Sequence, residues 1–134
     1  MENNKITGAT CILIDPEGNI LLQLRDNGNG KSIPFPNTWT FLGGAKEDGE
    51  DYASTAVREI KEECDINIEK NNLKLILVYD HDHAHGDHVF TYQFKTKPQI
   101  KVLEGADMKW FSLEEIKKIP LAFEQVKIIP YIKF

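Results

Sequence analysis

Cysteine is scarce in this chain. Only Cys11 and Cys64 occur, both in apolar surroundings and neither at a metal-binding spacing. That argues against a disulfide scaffold and against a thiolate metal centre, and both thiols read as buried and free. No stretch of 18 apolar residues is present and no signal-peptide pattern opens the sequence, so the expectation is a soluble, cytoplasmic protein with no membrane partner. Basic runs are also missing. Lys and Arg number 16 against 21 Asp and Glu, a net charge of −5, which argues against a nucleic-acid polymer as partner. Internal repeats and low-complexity tracts are absent. The 134 residues suffice for one core and are too few for two, so a single domain over residues 1–134 is expected.

What the chain does have is concentrated in residues 43–66, GGAKEDGEDYASTAVREIKEECDI. On a helix, Glu59, Glu62 and Glu63 stand at i, i+3 and i+4 and share one face. Ala53, Ala56, Val57, Ile60 and Cys64 fall on another, the 3.6-residue stripe that faces a core. Like charges stacked on one stripe repel by a few tenths of a kcal/mol per pair. Such oxygen-rich clusters bind hard divalent cations, although a solvated acidic face is the plainer alternative. The neighbouring residues favour the cluster. Gly43 and Gly44 follow an apolar run, residues 39–42, that reads as a strand, and glycine there lets backbone approach a ligand or offer a bare carbonyl to a metal. Asp51 is placed to cap the helix, and Glu50 beside it suits the positive helix end. Arg58 can reach back to Glu50 as a carboxylate fork that pins loop to helix.

Gly44, Glu50, Arg58-Glu59-Ile60 and Glu62-Glu63, at this spacing over residues 44–66, resemble the signature (the Nudix box) of the Nudix hydrolase family of MutT-like pyrophosphohydrolases. One position departs: the family usually has Gly where this chain has Asp65. That residue ends the helix in a left-handed conformation, which Asp tolerates better than most. Periodicity alone supports an α+β layered domain; the resemblance implies the Nudix fold, a mixed β-sheet sandwiched between helices, with the site at the box helix. It implies a hydrolase that cleaves the phosphoanhydride of a nucleoside diphosphate linked to another moiety, with Mg2+, or Mn2+ in its place, neutralising the phosphates. An acidic protein acting on anionic phosphates needs such an ion. Gly44, Glu59, Glu62, Glu63 and Glu104 are the implied metal ligands, and Glu59, Glu62 and Glu104 are the implied catalytic glutamates, with Arg58 and Glu50 in the catalytic framework. Glu104 is carried over from a family glutamate in the loop before a Trp, here Trp110.

The resemblance also implies a substrate contact at Arg25, at the mouth of the strand over residues 20–24, where the family often has a basic residue, and Phe123 can stack on a base. Members that remove oxidised guanine nucleotides read the base with an Asn near the C-terminal helix; Phe123 stands in the comparable stretch, which weakens that assignment. A non-catalytic, nucleotide-sensing Nudix module is the rival reading, but such relatives usually lose box glutamates or the Arg. A simple calcium loop would need alternating Asp and Asn ligands. The partner is therefore a nucleotide-type small molecule, bound by a monomer or homodimer.

Elsewhere, residues 5–14 and 20–24 read as a hairpin, and residues 26–37 as a Gly-, Asn- and Pro-rich loop able to shape a pocket. Trp39 reads as core. Residues 73–79 read as a strand buried on both faces. All four histidines crowd into residues 80–88, where alternation in an extended loop argues against zinc and for a polar hairpin loop before a strand over residues 89–95. Residues 108–111 read as a strand. Ser112 and Glu115 make a capping box for a short helix that Pro120 stops, and residues 121–129 carry apolar residues at helical spacing.

Overall fold

A computed structural model describes residues 6–80 and 86–134. His81, His83 and His85, and with them most of the expected histidine loop, lie outside the described residues. Strand β1 (Ile6–Ile14) alternates Ala9, Cys11 and Leu13 on one face with Ile12 and Ile14 on the other, all buried. A strand apolar on both faces belongs in the middle of a sheet, and β1 sits there. It pairs in parallel with β6 (Gly86–Gln93) and antiparallel with β2 (Ile20–Leu24) and β4 (Leu42–Ala45). The sheet runs β3-β2-β1-β6-β5, with β3 (Trp39–Thr40) and β5 (Lys74–Asp80) at its ends; β4 adds to β1, and β7 (Asp107–Phe111) adds to β2.

Helix α1 (Tyr52–Cys64) covers one face with the expected stripe: Ala56, Ile60 and Cys64 are fully buried against Ala9, Cys11, Leu13 and Leu42. The other face packs Ile12, Ile14, Ile20 and Leu22 under Ile116 of α2 (Leu113–Ile116) and Ile128 of the C-terminal segment. The mixed sheet between helical layers is the architecture expected from the sequence. The β1–β2 turn closes on Asp15, whose buried carboxylate accepts from the Glu17 and Asn19 N–H groups at 2.9 and 2.8 Å. Those bonds hold its pKa below the usual range despite the burial. Trp39 packs edge-on against Phe111, 4.9 Å between ring centroids, so it is core as expected. Among the described residues, no helix is long and apolar enough to cross a membrane.

Three local expectations are corrected. The apolar run at residues 73–79 forms an edge strand rather than one buried on both faces: among the described residues β5 pairs only with β6, and Leu75 and Val78 are each 50% exposed. The strand expected over residues 39–42 is split at Phe41, and the sheet resumes at β4. The C-terminal segment is not a regular helix. It is a 3-10 stretch, Ala122–Tyr131, with Phe123 and Glu124 in the left-handed region at φ 56° and 57°. Leu121 bridges to Trp39 of β3, and the Gln125 side chain is bound to Thr40 and Phe41. These contacts tie the segment to β3 and to Phe41 on either side of the two left-handed residues.

Candidate active site

The site is built on α1, and the residues at the start of the helix brace it. Asp51 caps it as expected, its Oδ1 accepting the Ser54 N–H at 2.7 Å. Glu50 accepts the Glu47 N–H and the hydroxyl of the buried Thr55, both at 2.9 Å. Arg58 grips Glu50 with two bonds, Nε to Oε2 at 2.6 Å and Nη2 to Oε1 at 3.0 Å. The same guanidinium donates to the Ala45 carbonyl at 2.8 Å, to Glu59 at 2.8 Å and to Glu62 at 3.1 Å. One planar group thus ties the loop before the helix, strand β4 and the helix face together. The fork holds the Glu50 pKa down to about 2, with Arg58 the foremost cause, and Glu50 in turn pushes the Arg58 pKa further up. Lysine keeps the charge but cannot reproduce the fork. Arg58→Lys is therefore expected to lower the melting temperature by about 5 °C, read by thermal denaturation; an unchanged midpoint would show that charge alone, not geometry, matters here. At the far end of α1, Asp65 takes the left-handed conformation expected of it, φ 59°, and pairs with Lys61 and Lys101.

Under β4, α1 turns two carboxylates toward a third. Glu59, Glu63 and Glu104 each place one oxygen within 4.8 Å of the others'. Glu63 is buried and accepts the Gly43 N–H at 3.2 Å. Gly44 is packed so closely that a Cβ there would fall on the Glu59 carboxylate. Glu104 is delivered by a loop tied on both sides: the Leu103 N–H donates to the Glu63 carbonyl at 3.0 Å, and Gln23 Nε2 donates to the Glu104 carbonyl at 3.2 Å. Gly105, at φ 80°, lets this loop pass over Gln23, where a Cβ would sit 2.7 Å from that side chain.

Burial first, then the Glu59 and Glu104 charges, push the Glu63 pKa up to about 9. Burial also raises that of Glu59, against the pull of Arg58. Three hard oxygen donors, two of them with ionisation disfavoured by burial, are a donor set that fits a divalent cation. Glu62 stands apart. Its side chain is 49% exposed and held by Arg58 at the rim.

These groups form one end of a cavity of about 700 Å3, which Gly44 and Glu62 also line. Arg25 and Phe123 line the same cavity. Arg25 donates from Nε to the Pro34 and Phe35 carbonyls at 3.1 and 3.2 Å, and its guanidinium lies 4.9 Å from the Phe123 ring centroid. Phe35 meets Phe123 at 4.9 Å. Partial burial lowers the Arg25 pKa. Every metal-ligating, catalytic or substrate-binding residue expected from the sequence thus lines one cavity, except Glu50 and Arg58, which brace it from outside.

Other lining residues went unnoticed in the sequence. Asp87, which accepts from the Thr10 hydroxyl at 3.1 Å, was hidden among histidines. Gln125 is 4% exposed, and its Oε1 accepts from the Thr40 hydroxyl at 3.0 Å and the Phe41 N–H at 2.9 Å. Nothing in the sequence set it apart, since Glu124 beside it and Lys127 are polar as well. His88 lies off the cavity, its ring stacked on Tyr52 at 3.9 Å.

Residues 4–132 match the family model of the NUDIX domain. A curated relative, nucleoside diphosphate-linked moiety X motif 6 of Xenopus laevis, is 29% identical over 115 residues, 81% of this chain and 51% of that protein. The chain thus spans about half the length of that relative. Among solved structures, a MutT NUDIX hydrolase from Burkholderia pseudomallei aligns with a TM-score of 0.75 at 23% identity, covering 98% of this chain and 100% of that one. A bifunctional NMN adenylyltransferase/ADP ribose pyrophosphatase from Francisella tularensis, solved with AMP and a manganese ion, aligns with a TM-score of 0.75 at 24% identity, covering 97% of this chain and 41% of that one.

Proposed function

We propose that this chain, which belongs to the NUDIX domain family, is a Mg2+-dependent pyrophosphohydrolase that cleaves the phosphoanhydride of a nucleoside triphosphate or another nucleoside diphosphate derivative. The observation that carries this is the meeting of Glu59, Glu63 and Glu104 within 4.8 Å at one end of a cavity that Arg25 and Phe123 also line. The name of the Xenopus relative and the AMP and manganese ion of the Francisella structure point the same way, toward a nucleotide ligand and a divalent ion, Mn2+ included.

Glu59 and Glu63, with Glu104 and the Gly44 carbonyl, would hold the ion, and Glu62 stands ready at the rim. A bound divalent ion supplies neutralisation of the phosphate oxygens and acidification of the attacking water. The protein's own groups do the remaining work. Glu59, Glu62 or Glu104 takes the proton from water. Arg58, anchored by Glu50, fixes the direction of the Glu59 carboxylate and keeps the helix at its distance from β4. Arg25 carries positive charge to the substrate, and Phe123 offers an aromatic face to its base.

Phosphate or pyrophosphate release from nucleoside triphosphates, nucleotide sugars, ADP-ribose and dinucleoside polyphosphates, with and without Mg2+, tests the reading. Magnesium-dependent release from one class is the expected result. Silence across the panel with a nucleotide still bound would replace the hydrolase by a nucleotide sensor.

A further inference from the structure

The three carboxylates of the triad do not arrive on equally firm supports. Glu59 and Glu63 project from α1, a 13-residue helix. Glu104 is exposed and lies within residues 94–106, which form neither helix nor strand. Burial first, then the charges of Glu59 and Glu104, act against ionisation of Glu63. The same repulsion between like charges turns the Glu104 loop outward, and ordering a side chain on such a loop opposes it further through lost conformational entropy. The loop therefore needs a support that acts at residue 104 and does not itself move.

Gln23 is placed to give it. Its side chain is buried, and its Nε2 donates to the Glu104 carbonyl at 3.2 Å. A carbonyl oxygen can only accept, so this contact fixes which end of the amide faces the loop. Strand β2 is paired on both sides at this point, Gln23 standing opposite Thr40 of β3 and Met108 of β7, so the donor rests on rigid backbone. One residue on, the Leu24 carbonyl accepts the Ala106 N–H at 2.8 Å. Between these two bonds lies Gly105, where a Cβ would come within 2.7 and 2.9 Å of Gln23 Cγ and Cδ. The loop is thus clamped onto the Gln23 side chain by two bonds and by a contact, at φ 80°, that suits glycine. A glutamine that merely filled space would need neither the glycine opposite it nor a donor aimed at the residue that carries the carboxylate.

We propose that Gln23 is the positioning residue for Glu104: its amide donor holds the loop so that the Glu104 carboxylate stays beside Glu59 and Glu63, and the affinity of the triad for a divalent ion depends on it. This rests on the reading of the triad as a metal site and adds the residue that completes it.

The test is Mg2+ binding by titration calorimetry in wild type, Gln23→Met, Glu104→Gln and the double variant, with thermal denaturation of each metal-free protein. Methionine keeps the length of glutamine and removes the donor. Loss of a group that orients a metal ligand weakens affinity about 10- to 100-fold, so Gln23→Met is expected to bind Mg2+ about tenfold more weakly than wild type. Glu104→Gln should lose at least as much. In the Glu104→Gln background, Gln23→Met should add less than about twofold, because the carboxylate it acts through is already gone. A substitution that only loosened the fold would lower affinity equally in both backgrounds. Gly105→Ala presses on the same clamp from the exposed loop, should show the same loss and the same non-additivity, and decides the matter if Gln23→Met does not fold. Wild-type affinity in Gln23→Met, or an equal further loss with and without the Glu104 carboxylate, would overturn the proposal and leave the metal site standing. Wild-type affinity in Glu104→Gln would overturn it by removing Glu104 from the ligands. Absence of Mg2+ binding in wild type would sink the metal reading and the proposal with it.

Discussion

Glu63→Gln is expected to lower metal-dependent turnover by about a hundredfold or more while leaving the metal-free protein folded. Loss of groups that merely orient a metal ligand already costs about 10- to 100-fold, and Glu63 belongs to the oxygen triad itself. The change is otherwise gentle. With its pKa near 9, Glu63 carries a proton in the metal-free protein at neutral pH, and glutamine is close in shape to that protonated form. The Gly43 N–H keeps an oxygen to donate to, and no charge is stranded in the core. Kinetics at saturating Mg2+ with parallel thermal denaturation separate the two effects: turnover falls and the midpoint of the metal-free protein holds. Glu62→Gln provides the contrast. Glu62 is half-exposed and tied to Arg58 outside the triad, so its replacement should reduce turnover less. Turnover in Glu63→Gln within about threefold of wild type, well short of the loss expected for a ligand, would remove Glu63 from the ligand set.

The box helix was legible because its information is local. The Asp51 cap, the buried stripe, the Arg58 fork onto Glu50 and the left-handed Asp65 all follow from spacing along about four turns, and the structure has them all. Spacing could not rank the glutamates. Glu62 and Glu63 flank the line of Glu59 on opposite sides, about 100° apart, and only the position of β4 over the helix decides that Glu63 turns inward and Glu62 to the rim. The same limit explains the other misreadings. An apolar run does not declare how many strands will flank it, so β5 read as interior although among the described residues it pairs only with β6. The helical spacing of residues 121–129 was real, but Leu121 and Gln125 find partners more than 80 positions away, in β3 and at Phe41, and those contacts bend the chain. Gln125 itself shows the point most clearly, since a single glutamine carries no motif until Thr40 and Phe41 orient it.

Magnesium affinity is expected to rise about tenfold per pH unit from pH 6 to 8, because binding must expel the proton that Glu63 holds. Burial and the neighbouring Glu59 and Glu104 charges raise its pKa from the ordinary 4.5 to about 9 in the metal-free fold. Between these values the folded state binds a proton that the unfolded chain has released. The stability contributed by that proton is complete below about pH 4.5 and is lost progressively as pH rises through 9. A divalent ion reverses the order by paying in attraction for the ionised carboxylate, so its stabilising effect should grow over the same interval. Titration calorimetry at pH 6, 7 and 8, repeated in buffers of different ionisation enthalpy, counts the protons released. About one per ion is the expected figure, with the raised Glu59 adding to it at the acid end. Gln at position 63 has no proton to give up, so the variant's residual affinity should flatten with pH. An affinity in wild type that does not change with pH would mean that Glu63 is already ionised before metal arrives, and that a positive group other than the ion balances the triad.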